Sequence, residues 1–244
     1  PCAIQTDYAK DGWRVDRNGV VEVIPPTPDL EKLIGGLGIG NASHVVLVAP
    51  GSSAADMGGA TRVFWTFTVL GHDKVSILNG GFAAYVKDKT NPLDTQVHKL
   101  PPVTFQAKVR NEMLIGKAEV IAAAKNGVKL VDSRPSDQYM GVNKSGQVKR
   151  YGTIPGAINL PGLWLTVDGG GMFRPKNELD TLFKESDAPV SGKNITFCNT
   201  GHWASLGWFV SYVLMSNKDT LMYDGSMTEY AADEALPIDR KVKL

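Results

Sequence analysis

Cysteine is scarce in this chain, and one of its two cysteines, Cys198, stands where a thiol can react. It closes a short apolar run, and the residues from Asn199 to Gly201 lead from it towards a predicted helix. In such a strand–loop–helix arrangement, backbone N–H groups form an anion-binding nest and the helix N-terminus adds partial positive charge. Both lower the pKa of a thiol from its free value of about 8.5 and stabilise a persulfide anion. Cys198 is therefore the candidate nucleophile, and an inert buried thiol is the alternative.

The residues next along the chain bear on the same chemistry. Gly201 permits a close turn that points N–H groups inward. His202 is placed to lend a positive charge or a proton to a pocket, and the alternative is a side chain in solvent. Trp203 is placed to wall the pocket, although an aromatic residue at the start of a buried helix is more often part of the core.

These residues must be positioned by elements of an α/β fold. Short β-branched runs alternate with helical stretches, which is typical of βαβ units and parallel sheets covered on both faces by helices. The predicted strands cover residues 45–49, 75–78, 129–132, 195–198 and 221–223. The predicted helices cover residues 29–37, 59–70, 117–126, 177–184 and 203–215.

An internal repeat divides the chain in two. The matching pairs of segments are 1–4 with 155–158, 44–51 with 194–201, and 75–81 with 220–226. We predict a first domain at residues 1–104 and a second at residues 105–244. The second copy has an opening strand at 128–132 for which the first has no counterpart. We therefore expect the first domain to lack its N-terminal strand, and the chain to be a piece of a longer precursor that supplies it.

Composition narrows the classes of function. The 244 residues carry 26 basic and 25 acidic side chains, so the formal net charge is +1, and no basic block indicates a nucleic-acid or membrane surface. The longest apolar runs are too short to span a bilayer. Two cysteines allow at most one disulfide, and the four histidines lack the spacing of a zinc site. We expect no metal and no cofactor.

Four segments together resemble one family. The segment 198–204, Cys-Asn-Thr-Gly-His-Trp-Ala, is similar to the active loop of the rhodanese and mercaptopyruvate sulfurtransferases. Around it, 130–135 resembles that family's Asp-x-Arg segment, 152–157 its Gly-His-Ile-Pro-Gly-Ala motif, and 223–226 its Tyr-Asp-Gly-Ser turn. The order and spacing of all four match, and the repeat is similar to that of the two-domain members. The resemblance covers nearly the whole chain.

The resemblance implies two rhodanese-like domains with the active pocket at their interface. It implies that Cys198 attacks the outer sulfur of a small anionic donor, thiosulfate or 3-mercaptopyruvate, and becomes a persulfide. Cyanide, a small thiol or an acceptor protein then takes the sulfur. The first domain is then non-catalytic, because Val48 stands at the position that matches the cysteine. The residues that we expect to bind substrate are Arg134, Asn199, Thr200, Gly201, His202 and Trp203.

Two of these assignments carry alternatives. Arg134 matches an arginine that holds an anionic donor, and the alternative is an arginine tied to Asp132 for structural reasons. Asp132 itself is expected to be structural, accepting loop N–H groups at a strand end. Asn199 and Thr200 are neutral where thiosulfate-preferring relatives are basic, which keeps mercaptopyruvate or another donor open.

Three other questions bear on function. A cysteine phosphatase needs an arginine at the sixth position after its cysteine, and this chain has Ala204 there. A non-catalytic sulfur-binding or interaction module is the alternative to an enzyme, although inactive copies lose the cysteine that this chain retains. The loop variant resembles exported bacterial relatives and favours the periplasm, with the cytoplasm as the alternative compartment.

Overall fold

The fold is α/β. The computed structural model describes residues 2–244, so Pro1, with which the predicted repeat begins, lies outside the described residues. The strands are β1 (Val15–Arg17), β2 (Val20–Val23), β3 (Val45–Leu47), β4 (Val75–Ile77), β5 (Leu114–Ile115), β6 (Lys129–Asp132), β7 (Ile158–Asn159), β8 (Asn194–Phe197) and β9 (Thr220–Tyr223). The helices are α1 (Thr27–Gly36), α2 (Ala54–Val69), α3 (Gly81–Tyr85), α4 (Lys117–Lys125), α5 (Ser136–Met140), α6 (Lys176–Glu185), α7 (His202–Phe209) and α8 (Ser226–Tyr230).

The main sheet has five parallel strands in the order β5-β9-β8-β6-β7. Its centre is β8, whose four residues are all buried, as expected of a parallel strand covered on both faces. Ile195 pairs with Leu130 of β6 on one side and with Leu221 of β9 on the other. The prediction of a mainly parallel sheet flanked by helices is confirmed.

The two faces of this sheet meet different cores. Ile195, Phe197 and Tyr223 point into a core built around α4 and α8. Cys198 and Met222 point to the opposite face, into a larger core that also contains residues of α2 and α7. Because successive residues of a strand face opposite sides, the alternation along β8 decides that the cysteine faces α2 and α7.

The first half of the chain contains smaller sheets. β3 and β4 pair in parallel with α2 between them, the same order as β8, α7 and β9. Within residues 2–244, β3 pairs with β4 alone, and Val46 and Val48 near its open edge are 55% and 50% exposed. In the second half, β6 lies beside β8 at the corresponding edge. The strand expected there for the first domain stays a prediction, as do the boundary at residue 104 and the chain's origin in a longer precursor.

Packing between α2 and α7 joins the two halves. Phe64 of α2 meets Trp208 and Phe209 of α7, with ring centroids 6.3 and 5.0 Å apart. Beside them, the hydroxyl oxygens of Thr61 and Ser205 are hydrogen-bonded at 2.9 Å. The larger core runs without interruption across residue 104, and burial of these side chains stabilises both halves together.

Two helices differ most from their predicted bounds, and the other three predicted helices differ by at most two residues at either end. α2 begins at Ala54 instead of residue 59, because Ser53 and Asp56 form a capping box that starts the helix a turn earlier. α7 ends at Phe209, and the chain continues to Leu214 as a π-helical segment in place of the predicted α-helix. No helix of residues 2–244 combines the length and apolar character needed to cross a bilayer.

Candidate active site

Hydrogen bonds join the Cys198 loop to the turn and helix that follow β9. The backbone N–H of Cys198 donates to Ser226 Oγ at 3.0 Å, and its carbonyl accepts from the Met227 N–H at 3.0 Å. The carbonyl of Asn199 accepts from the Thr228 N–H at 3.0 Å. These bonds fix the backbone of the cysteine and so direct its Cα–Cβ bond towards the start of α7.

The Cys198 thiol is 1% exposed in this structure. Burial raises its pKa, and this exceeds the opposite effect of hydrogen bonds from the backbone N–H groups of the loop and of the first turn of α7. The N–H groups concerned belong to Ala204, Thr200, Gly201 and Trp203. The predicted nest is therefore present, but the expectation of a lowered pKa is wrong for this closed arrangement. The same four donors would favour the anion as soon as the thiol meets solvent.

A buried arginine from α2 lies against the loop. The Arg62 side chain is 1% exposed and forms an ion pair with Asp224 of the turn after β9. Its guanidinium lies 4.9 Å from the centroid of the Trp65 ring. Asp224 also accepts the N–H of Ile24 through Oδ2 at 2.7 Å, so one carboxylate binds two segments of the first half. Gly201 has a φ of 80°, and a Cβ added there would overlap Arg62 Nη1.

His202 closes the loop from the other side. Its Nε2 lies 3.0 Å from the carbonyl oxygen of Ala55, and its Nδ1 lies 3.4 Å from Tyr8 Oη. A carbonyl only accepts, so Nε2 carries the proton and Nδ1 accepts from the tyrosine hydroxyl. Burial lowers the pKa of His202 to about 4, helped by the positive charge of Arg14. The neutral imidazole therefore bridges the two halves, which is neither the charged role nor the solvent position considered from the sequence.

Tyr8 covers the loop beside this histidine. Burial raises the pKa of Tyr8 to about 12, against the lowering effect of Arg62 and Arg14. The Arg14 guanidinium lies 4.4 Å from the centroid of the tyrosine ring and is paired with Glu22 at 2.6 Å. Tyr8 is thus a neutral hydroxyl between two arginines, and its O–H donates to His202 Nδ1 next to the cysteine loop.

The neutral residues of the loop have distinct surroundings. Asn199 donates through Nδ2 to Gln138 Oε1 at 2.9 Å, and its Oδ1 is buried without a hydrogen-bond partner. Thr200 is buried at the tip of the loop. Trp203 packs against Gly162 and meets the His202 ring edge-on at 5.7 Å. It also contacts the larger core, so it acts both as a wall of the loop and as a core residue.

Arg134 and Asp132 form a closed network at the end of β6. Asp132 accepts from Arg134 Nε at 2.9 Å, from Nη2 at 2.6 Å and from Thr153 Oγ1 at 2.7 Å. Arg134 also donates to the carbonyl of Gly152 at 2.8 Å, and both members of the ion pair are fully buried. This geometry favours the structural alternative for Arg134, and its role in donor binding stays a prediction. It also gives a structural role to Thr153, which stands where the family's motif has histidine and whose hydroxyl donates to Asp132.

Comparison with known proteins supplies the family. The family model of the rhodanese-like domain matches residues 117–233. A putative thiosulfate sulfurtransferase of Mycolicibacterium smegmatis is 30% identical over 244 residues, covering 97% of this chain and 84% of the relative. The chain belongs to the rhodanese family. The thiosulfate sulfurtransferase of Mus musculus is 30% identical over 214 residues, 85% of this chain and 69% of that protein. This rhodanese is accordingly a sulfurtransferase enzyme.

Solved structures confirm the fold. Tum1 from Saccharomyces cerevisiae superposes with a TM-score of 0.83 at 20% identity, covering 98% of this rhodanese and 83% of that chain. Wild-type EanB superposes with a TM-score of 0.82 at 23% identity, and this chain spans 60% of its length. At such identities the likeness shows the fold and leaves the reaction to be argued from the site.

Sequence reasoning missed the residues that the first half brings to this rhodanese's loop. These are Tyr8, Ile24, Ala55 and Arg62, together with their partner Asp224 in the second half. A signal was available for Arg62, which is the single charged residue between Met57 and Leu70, within a helix that is mostly buried. A charge at such a position requires a specific partner. Nothing in the sequence names that partner, which lies 162 positions further along the chain.

Proposed function

We propose that this rhodanese carries the transferred sulfur as a persulfide on Cys198. The observation that supports it is the placement of the thiol at the end of β8, with backbone N–H groups of the loop and of the first turn of α7 directed at the sulfur. Such donors stabilise a thiolate, and they stabilise a persulfide anion in the same way. Cys2, the other cysteine, is exposed and lies outside this arrangement.

The transfer takes place in two steps. The Cys198 thiolate attacks the outer sulfur of thiosulfate, an S–S bond forms on the enzyme, and the S–S bond of the donor breaks to release sulfite. With 3-mercaptopyruvate, the same attack breaks the C–S bond and the thiol proton passes to carbon, releasing pyruvate. Cyanide, a thiol or an acceptor protein then attacks the terminal sulfur and regenerates the thiolate. No electrons are exchanged with a cofactor in either step.

The residues at the loop bear on which of these two anions is the preferred sulfur donor. Asn199 and its partner Gln138 present neutral amides where a dianion would gain most from a cation. We therefore propose that 3-mercaptopyruvate, a monoanion at its carboxylate, is used at least as well as thiosulfate. In the first half Val48, which matches Cys198, has no nucleophile, so we assign that half a non-catalytic role in shaping the pocket.

Thiocyanate formation from cyanide tests the proposal with both donors in parallel. Cys198→Ser is expected to abolish the reaction, whereas Cys2→Ser, the matched control, is expected to retain it. Mass spectrometry after incubation with donor should show one added sulfur atom, mapped to Cys198. Absence of both thiocyanate and the sulfur adduct in the wild type would refute the persulfide mechanism and favour a non-catalytic sulfur-binding or interaction module.

A further inference from the structure

Unsatisfied polar atoms gather around the Cys198 loop. Among the described residues, the buried polar atoms without a hydrogen-bond partner include Arg62 Nε, Arg62 Nη1 and Asn199 Oδ1 at this loop, and Arg134 Nη1 beyond the end of β6. Most buried polar groups in proteins do find partners, and a buried guanidinium with free donors is costly. Donors of this kind at the edge of a reactive loop indicate that a ligand completes the site.

Arg62 is positioned to receive that ligand. Its Nη1 lies where a side chain on Gly201 would begin, so it contacts the loop that carries the cysteine. Its Nη2 pairs with Asp224 and lies 3.4 Å from the Glu22 carbonyl oxygen. One edge of the guanidinium is therefore anchored, while Nε and Nη1 keep N–H donors that nothing in the protein accepts.

The other candidate cation, Arg134, is engaged more fully, although its Nη1 is also buried without a partner. Its Nε and Nη2 donate to Asp132, and Nη2 also donates to the carbonyl of Gly152. The loop residues between Cys198 and Gly201 carry no charge. Arg62 and Arg134 are each paired with one carboxylate. Arg62, however, keeps two nitrogens without partners, and its Nη1 contacts the cysteine loop from the other half of the molecule, so it is the better-placed cation for a small anionic donor that reaches the thiol.

We infer that Arg62 is the residue that binds the negatively charged end of the sulfur donor, a carboxylate or a sulfonate-like group, while Cys198 attacks its sulfur. This rests on the proposed function and names the recognition group of the same site. Nη1 is the free donor that faces the cysteine loop and suits an oxygen of such an anion, and charge-assisted hydrogen bonds are the strong ones.

Alkylation of Cys198 by a matched pair of reagents tests this inference. Iodoacetate and iodoacetamide both form an S–C bond with the thiolate and release iodide, and they differ in that iodoacetate carries a carboxylate. The background is Cys2→Ser, so that Cys198 is the thiol that reacts. The ratio of the iodoacetate rate to the iodoacetamide rate reports anion binding and cancels changes in thiol pKa or loop opening.

The decisive variant is Arg62→Met with Asp224→Asn, which removes the cation without leaving its buried partner charged. We expect the rate ratio to fall about tenfold, the usual size of a charge-assisted hydrogen bond. Arg62→Gln with Asp224→Asn provides a more polar replacement should the first variant fail to fold. The control is Arg110→Met with Asp73→Asn, which neutralises a more exposed Arg–Asp pair beside the C-terminal end of α2 and should leave the ratio unchanged.

Each outcome decides the inference. A fall in the ratio confined to the Arg62 variants supports it. If both rates fall equally, or if neither rate changes, the ratio stays the same, and Arg62 then supports the fold alone. A wild-type Cys198 that reacts with neither reagent would also overturn it, because the site must admit an anion of this size. The cyanide assay is read separately, so failure of sulfur transfer and failure of anion binding remain distinguishable.

Discussion

Acidification is expected to weaken the contact between the first half of the molecule and the Cys198 loop, because His202 must be neutral to make it. Nε2–H donates to the Ala55 carbonyl and Nδ1 accepts from Tyr8. A proton on Nδ1 would remove the acceptor and place a positive charge beside the guanidinium of Arg14. The folded protein therefore resists protonation of this ring.

The size of the effect follows from the two pKa values. The pKa of His202 is about 4 in the folded protein, against an ordinary value of 6.5. Because the folded-state pKa is the lower one, the unfolded chain takes up the proton first, and stability is lost as pH falls from 6.5 towards 4. Above 6.5 the contribution is fully present. The upper limit is about 3 kcal/mol, and we expect roughly 1–2 kcal/mol because the ring edge keeps partial contact with solvent.

Urea unfolding of wild type and His202→Gln at neutral pH and near pH 5 measures this contribution. Glutamine does not titrate, yet its amide can donate to Ala55 and accept from Tyr8. His72, whose pKa burial also lowers, titrates in both proteins, so its effect cancels in the difference between them. The wild type should lose about 1–2 kcal/mol more than the variant on acidification. Equal losses in the two proteins would refute the assignment of a neutral bridging histidine.

Three further predictions concern the loop and its support. Gly201→Ala should lower stability by about 1–3 kcal/mol and slow sulfur transfer, because the residue has a φ of 80°; unchanged urea midpoints would contradict this. Asp132→Asn should cost about 3–5 kcal/mol by leaving the buried charge of Arg134 unpaired, and a loss below about 1 kcal/mol would contradict it. Gln138→Arg should raise kcat/KM for thiosulfate relative to 3-mercaptopyruvate about tenfold by placing a cation beside Asn199, and an unchanged ratio would show that this rim does not select the donor.

The strands of the main sheet could be predicted from the sequence because their apolar runs are short and mostly buried. β6 matches its predicted bounds, and β8 and β9 begin one residue earlier than predicted. The hairpin of β1 and β2 was missed although its turn, Asn18-Gly19, is the usual sequence of a tight hairpin. That signal was present, whereas the bridge-like strands β5 and β7 have two residues each and leave no pattern to detect.

The local part of the site was also predictable, and its completion was not. The apolar run before Cys198 and the helical segment after it are local in sequence, so they place the cysteine in a loop before a helix without any distant contact. Contacts that join residues far apart leave no periodic trace, and those of Tyr8 with His202 and of Arg62 with Asp224 are of this kind. The direction of the thiol pKa depends on how completely these contacts exclude water, so the loop sequence alone gave the wrong sign.

The two halves cover each other's loops, and the covers differ in chemistry. In the first half, a strap of the second (residues 171–173) lies against Gly51, in the loop after β3 that matches the cysteine loop, and against the turn after β4. At that turn, Gly80 N–H donates to the Gly171 carbonyl at 3.2 Å and Phe173 N–H donates to Asn79 Oδ1 at 2.9 Å. That cover is made by backbone groups. The cover over the second half's loop carries the guanidinium of Arg62. A loop without a nucleophile needs only to be covered. A loop that must admit an anion also needs a positively charged side chain that stays beside it when the covering contacts open. We therefore propose that the halves persist as one folding unit because each would otherwise expose polar backbone, and that the charged cover lies over the loop with the cysteine because that is where chemistry requires it.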